Sequence, residues 1–538
     1  MRRIFVLALA VIALVGMIAP GAYAQAPAAP APTFKITGFI DTITSASHNL
    51  RETNFTRVGD KEWYTRNRGI FEIDGKVGTA IGVLRLEIDE AWGQVSANDS
   101  ITDGGGVAGG AQRAATNGAF DLNTDTRGVI EVKWLYVEYD VPLIPFPTRM
   151  RIGAQPFATT YKLATLATGD FAGVNLVTTW APNVKSNFTY VQIEEEVTGG
   201  STGGTGATAF VRGDDFAIIT SLEVTPIKGL DLRPTYAVLW AQGATHGNAR
   251  VGVGGNPVQG GTPTFVAKPV GTGGVATHEE WRHTIGIDSR WRSGPISIEP
   301  TFFYQFGTRE MDNPFATGTT DLIRESDISA WLFDLKAGYR VGPVLLEARY
   351  MYTSGNRPMD QLSVDTNYYQ PINTDTSYGA DGWGNILALG IDYFNGAVRT
   401  LGTGIGLDRY GRQQFGFKGT YSVSPALDLY GVVMPAWTAR SVDTDGIFAA
   451  GVINCNASTT NSAALPQGAG CRGDSSYIGT EADLGLTWRF APGLTFDLVG
   501  AYLFAGGALD TTQAVNGVAT KRGSEDVYTG AARVRFSF

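Results

Sequence analysis

The sequence predicts an all-β protein: a transmembrane antiparallel up-and-down β-barrel of about 18 strands. Three observations predict it: an amino-terminal export signal, segments in which apolar and polar residues alternate, and short connections that alternate with long ones along the chain. The composition agrees, because 69 of the 538 residues are glycine and only 17% are charged, against a usual quarter or so. A net charge of -9 argues against a nucleic-acid-binding protein.

The first 24 residues have the pattern of a secretory signal peptide. Arg2 and Arg3 precede an apolar run over residues 4–19, and Ala22-Tyr23-Ala24 is a small-x-small cleavage site. The run is short for a transmembrane anchor and is followed by Pro and Gly. Cleavage after Ala24 places a Pro/Ala-rich periplasmic tether over residues 25–33 and a single barrel domain over residues 34–538.

Residues 66–77 show the alternation that predicts strands. Phe71, Ile73 and Val77 share one parity, whereas the charged side chains of this segment share the other. The pattern recurs in residues 84–89, 296–306, 331–341, 344–352, 484–490 and 528–538. Each such strand has one apolar and one polar face.

The connections give the strand number. Eight short turns rich in Pro and Gly join eight hairpins, at residues 78–80, 142–148, 182–183, 226–229, 293–295, 342–343, 425–426 and 491–493. Long polar connections alternate with them, at residues 94–127, 243–277, 355–410 and 441–477. Short periplasmic turns and long extracellular loops are typical of outer-membrane barrels. With a first strand over residues 34–45 and a last strand over residues 523–538, the count is eighteen strands. If Asn395-Gly396 is a further hairpin turn, the count is twenty strands, and if two hairpins are misassigned it is sixteen.

The last segment alternates Tyr528, Gly530, Ala532, Val534 and Phe536 on one face and ends on phenylalanine, Phe538. It resembles the terminal strand of Gram-negative outer-membrane porins. The resemblance implies a barrel in outer-membrane lipid, assembled by machinery that reads the final Phe538, and association into homotrimers.

If the apolar parity faces lipid, the other parity lines a lumen. The basic candidates are Arg66, Arg68, Lys76, Arg85, Lys133, Arg282, Arg290, Arg292, Lys336, Arg340, Arg349, Arg489, Arg533 and Arg535. The acidic candidates are Glu72, Asp74, Glu87, Asp89, Glu131, Asp288, Glu299, Asp334, Glu347 and Asp483. Fourteen basic against ten acidic groups predict a mild preference for anions. The alternative is that the two signs pair as ladders that order the wall without selecting solutes.

No motif indicates catalytic, metal or cofactor chemistry. His278 and His283 are spaced i, i+5 rather than the i, i+4 of a zinc-protease helix, and residues 402–406 lack the Lys-Ser/Thr of a phosphate loop. The two cysteines, Cys455 and Cys471, lie in one long loop of an exported chain, which predicts a disulfide.

Two function classes follow. The first is a channel through which small hydrophilic solutes diffuse passively, with an inward-folded long loop as its constriction. The second is a barrel that acts as a sheath or docking partner for another protein, such as a component of an electron conduit, or as an adhesin. A barrel enzyme needs a nucleophile beside a histidine, and the four histidines lie near predicted loops or rims.

Overall fold

A computed structural model describes most of the chain. It covers residues 30–50, 61–92, 119–120, 130–142, 144–162, 165–194, 215–242, 277–312, 323–357, 366–374, 383–388, 390–391, 410–442, 444, 447–449, 452–454, 473–515 and 518–538. Within these residues no helix is long and apolar enough to cross a membrane. Asn395, Gly396, Cys455 and Cys471 lie outside the described residues, as do most of the signal and tether segments.

Eighteen long strands form the wall. They are β1 (Thr33–His48), β2 (Lys61–Val77), β3 (Ala80–Trp92), β4 (Ile130–Asp140), β5 (Thr148–Ala158), β6 (Ala167–Ala181), β7 (Val184–Glu194), β8 (Asp215–Ile227), β9 (Leu230–Gln242), β10 (Thr277–Ser293), β11 (Ile296–Asp312), β12 (Ile323–Val341), β13 (Val344–Thr353), β14 (Arg412–Ser424), β15 (Leu427–Val442), β16 (Ser475–Ala491), β17 (Leu494–Ala505) and β18 (Val527–Ser537).

Each strand pairs antiparallel with the next, and β18 pairs with β1 to close the barrel. At the closing edge the N–H of Gly38 donates to the carbonyl of Phe538 at 3.0 Å, and the N–H of Phe538 donates back at 3.1 Å. β13 pairs directly with β14, so no further hairpin enters the wall between them. The predicted fold class and the count of eighteen are confirmed.

The eight predicted short turns all lie on one rim, together with the start of β1 and the end of β18. Gly229 shows why these turns use glycine. Its φ is +85°, and a Cβ there would lie 2.3 Å from the carbonyl oxygen of Arg292. Turn positions of this kind accept no other residue without strain, which is why the turns were readable from sequence.

Some strand ends differ from the prediction. β1 runs to His48 rather than residue 45, and β15 and β16 extend into the predicted loop 441–477. β18 begins at Val527 rather than residue 523. Ser524 and Asp526 are held outside the ladder. The N–H of Ser524 donates to the carboxylate of Asp510 at 2.9 Å, and the carboxylate of Asp526 accepts from the N–H of Ala505 at 2.9 Å.

Large apolar side chains cover the outer face. Leu484 is 76% exposed and Trp63 is 78% exposed. Aromatic rings contact one another on this face, and the ring centroids of Trp331 and Tyr352 are 4.5 Å apart. Such contacts are typical of a membrane interface. Tyr64 differs from its neighbour Trp63. It is 8% exposed and faces inward, since neighbouring residues of a strand cannot share a face.

Two short hairpins form a separate four-stranded sheet on the rim of the long loops. The first consists of Ile447–Ala449 and Val452–Asn454, and the second of Thr511–Val515 and Val518–Arg522. Lys521 of the second hairpin lies 2.7 Å from Asp474, which immediately precedes β16. The ion pair ties this sheet to the wall.

Candidate functional site

The inner face of the barrel carries the polar parity of the strands, and three chain segments fold against it. The first is the connection from β5 to β6, of which residues 159–162 and 165–166 are described. The Nζ of Lys162 donates to the carbonyl of Asp334 at 3.1 Å and to that of Glu299. The N–H of Tyr161 donates to the carboxylate of Asp288. These partners belong to β10, β11 and β12, so the connection extends across the lumen.

Tyr161 lies between two arginines of the opposite wall. The guanidinium carbons of Arg233 and Arg290 lie 4.0 and 4.2 Å from its ring centroid. Burial, with the nearby acidic groups, raises the pKa of Tyr161 to about 12 despite the opposing effect of the arginines. A phenol is protonated at neutral pH with or without such a shift, so the hydroxyl of Tyr161 can donate a hydrogen bond.

The second segment, residues 366–374, belongs to the connection from β13 to β14. Gln370 accepts from Arg309 at 2.6 Å and from Arg282 at 2.5 Å through its side-chain oxygen. Its carbonyl accepts from the amide of Gln305 at 2.7 Å. The hydroxyl of Tyr369 donates to the carbonyl of Thr165 at 2.6 Å, so the first and second segments contact each other inside the barrel.

The third segment, residues 383–388, is held by carboxylates of β16. Glu481 accepts the backbone N–H groups of Asn385 and Ile386 at 2.7 Å each and that of Leu387 at 2.8 Å. Asp483 accepts from the side-chain amide of Asn385 at 3.0 Å. Three consecutive donors on one buried carboxylate fix the backbone of this turn.

Apolar side chains complete the docking of the segments. Ile386 and Leu387 are at most 1% exposed and pack in a cluster with Met434 of β15 and Leu503 of β17. A second cluster joins Tyr369 and Ile372 of the second segment to inward residues of β5 to β13. Consequently the chain itself fills part of the interior of the barrel.

Twelve of the fourteen predicted basic residues lie within 4.0 Å of a carboxylate. The pairs are Arg66–Asp89, Arg68–Asp89, Arg85–Glu72, Lys133–Glu87, Arg282–Glu280, Arg290–Asp231, Arg292–Glu299, Lys336–Glu347, Arg349–Asp334, Arg489–Asp428, Arg533–Asp497 and Arg535–Asp41. Lys76 and Arg340 are exposed near the short-turn rim. Asp288 and Asp483 hold the inward segments instead of a guanidinium.

The sequence-based charge tally of the wall left out several acids. Asp41, Asp231, Glu280, Asp428 and Asp497 are the partners of predicted basic residues, yet none was among the predicted acidic ones. With these five included, fifteen acidic groups stand against fourteen basic ones, and the positive excess disappears. The ladder interpretation of the wall therefore describes most of its arginines.

Sequence reasoning also missed several residues that position the segments. Arg309, Lys418 and Glu481 lie on the inward parity of their strands, so a complete parity count would have found them. Lys162 lies in a connection, where no periodicity applies. His283 faces outward, where its Nδ1 lies 2.8 Å from the hydroxyl of Tyr236. Among the described residues no three His, Cys, Asp or Glu side chains are grouped as metal ligands.

Comparisons with known proteins found similarity to solved structures alone. No family model and no curated protein sequence matches the chain. Among solved structures it is similar to Pseudomonas aeruginosa OccK8 (OprE), with a TM-score of 0.47 and 11% identity over 94% of this chain and 98% of that one. It is also similar to OprD from Pseudomonas aeruginosa, with a TM-score of 0.44 and 11% identity over 94% and 93%. Acinetobacter baumannii OccAB4 gives a TM-score of 0.44 and 10% identity over 94% and 98%. The assignment of the fold rests on the strand pairing described above.

Proposed function

We propose that this protein is a channel of the Gram-negative outer membrane through which small hydrophilic solutes diffuse passively. The observation that carries the proposal is the sorting of side chains between the two faces of a closed wall. Apolar residues cover the outside, whereas ion pairs such as Arg533–Asp497 lie inside. A polar inner face beneath an apolar outer face is typical of barrels that enclose a water-filled channel.

The inward segments support a narrow passage for small solutes. The connection after β5 crosses to β12, and residues 383–388 are anchored on β16. Both restrict the cross-section that an eighteen-stranded barrel would otherwise leave open. We propose a mild preference for anions. Because a carboxylate neutralises most wall arginines, this preference comes from a local group and not from the net charge of the wall.

The second class, a barrel that sheaths another protein, receives less support. A sheath needs an interior that accepts a foreign chain, and here part of the interior is occupied by residues 366–374 and 383–388. Docking through the outer loops, as in an adhesin, does not require an open lumen. We propose no enzymatic role, because the sequence carries no recognisable catalytic motif and the contact between His283 and Tyr236 lies on the outer face.

Conductance of the purified protein in a planar bilayer tests the proposal. Stable, stepwise openings in KCl are expected for an open passage through each barrel. A properly folded protein, identified by heat-sensitive mobility in detergent gels, that inserts without conducting would contradict the channel and favour the docking role. Heat-denatured protein is the matched control.

A further inference from the structure

One part of the inner wall differs from the paired arginines around it. Lys336 of β12, Glu347 of β13 and Lys418 of β14 form a row on three neighbouring strands. The Nζ of Lys336 lies 3.2 Å from Glu347. Glu347 is directly opposite Lys418 in the strand register. The row therefore contains two cations and one carboxylate.

Lys418 makes no ion pair with any residue that the structure describes. Its Nζ lies 5.2 Å from the ring centroid of Tyr430 and 6.0 Å from that of Trp383. The Nζ of Lys336 lies 5.7 Å from the same Trp383 ring. Aromatic faces stabilise a cation without cancelling its charge. The positive charge of Lys418 consequently remains available to a mobile anion.

Lys418 differs from the surrounding wall, where most charged side chains form ion pairs. An ion pair such as Arg349–Asp334 presents little net charge to a solute a few ångströms away. Lys76 and Arg340 also lack a carboxylate within 4.0 Å among the described residues, but both are exposed near the short-turn rim, where salt screens them. Lys418 lies deeper, six residues before the end of β14 at Ser424.

We propose that Lys418 is the residue that sets the anion preference of the channel. It attracts a small anion, inorganic or carboxylate-bearing, to the wall between β13 and β15, against the opposing charges of Glu347 and, two strands farther along the same register, of Asp483. Trp383 and the anchored segment 383–388 position the site. The inference rests on the proposed function, because selectivity has meaning only for a conducting barrel.

Four variants test the role of Lys418 through the permeability ratio of chloride to potassium, which is measured from reversal potentials in a KCl gradient. Lys418→Met should lower the ratio about fivefold, the effect of one charge a few ångströms away in a water-like medium. Glu347→Gln, which removes the carboxylate that pairs with Lys336, should raise the ratio. Lys76→Met carries the same change of charge at the rim and should leave the ratio near that of the wild type.

The outcomes separate the inference from the proposed function. Absence of conductance in the folded wild type overturns the channel itself. Conductance with an unchanged ratio in Lys418→Met, or an equal shift in Lys76→Met, overturns the role of Lys418 and leaves the channel intact. Cation preference of the wild type overturns the role as well. Lys418→Arg keeps the charge and should retain the wild-type ratio, which excludes a mere packing effect.

Discussion

The anchoring of residues 383–388 by Glu481 gives the sharpest prediction. Glu481→Ala removes the acceptor of three buried backbone N–H groups, those of Asn385, Ile386 and Leu387. Asp483 also accepts from the N–H of Asn385, at 3.1 Å, so the donors left without a partner are those of Ile386 and Leu387. At about 1–3 kcal/mol each, the loss is on the order of 2–6 kcal/mol. Burial of Ile386 and Leu387 contributes about 1.5–3 kcal/mol each. The free energy lost with the hydrogen bonds is similar to the free energy that burial of the two side chains contributes, so the segment is expected to leave the wall.

Single-channel conductance measures this undocking. The conductance of Glu481→Ala should exceed that of the wild type, because the freed segment no longer narrows the lumen. Glu481→Gln keeps one acceptor oxygen and should give an intermediate value. Glu138→Gln is the control, since Glu138 binds only Arg149 and Arg151 among the described residues. Wild-type conductance in a folded Glu481→Ala protein would refute the reasoning.

Three further predictions concern other parts of the chain. Gly416→Ala places a Cβ 2.9 Å from the ring of Trp383 and should raise the conductance, whereas Gly419→Ala, whose nearest neighbour lies at 3.8 Å, should not. Cys455 and Cys471 should appear as one disulfide-linked peptide in non-reducing mass spectrometry, and reduction should destabilise their loop by roughly 3 kcal/mol. Two free thiols would contradict that pairing. Deletion of Phe538 removes the hydrogen bonds to Gly38 and should reduce the amount of heat-modifiable barrel in the membrane, and normal assembly would argue against an assembly signal.

The wall was predictable because two strong physical constraints act on it locally. Lipid requires apolar side chains on alternate residues, as in Leu484 and Trp488 of β16, both of which are exposed on the outer face. The short turns require fixed or positive φ, which restricts them to Pro and Gly. Both constraints act within a few residues, so the number and order of strands could be read from the chain.

The site was less predictable because its contacts join distant parts of the chain. Nothing near residue 385 indicates that its N–H would bond to Glu481, and nothing near Lys162 indicates that it would reach β12. The charge tally failed for a different reason. Asp41 lies in a stretch of Thr and Ser where both faces carry small polar residues, so its alternation is weak. Its role became visible only with its partner Arg535.

The edge between β1 and β18 determines how the barrel can form. Until the last strand is present, both edges of the sheet have unpaired N–H and C=O groups, which cannot be left in hydrocarbon. Because Gly38 and Phe538 exchange their hydrogen bonds at this edge, partial sheets have no stable place in the bilayer. Membrane insertion and closure of the wall should therefore be one cooperative event, in which a nascent chain missing its final residues is excluded from the lipid as a whole.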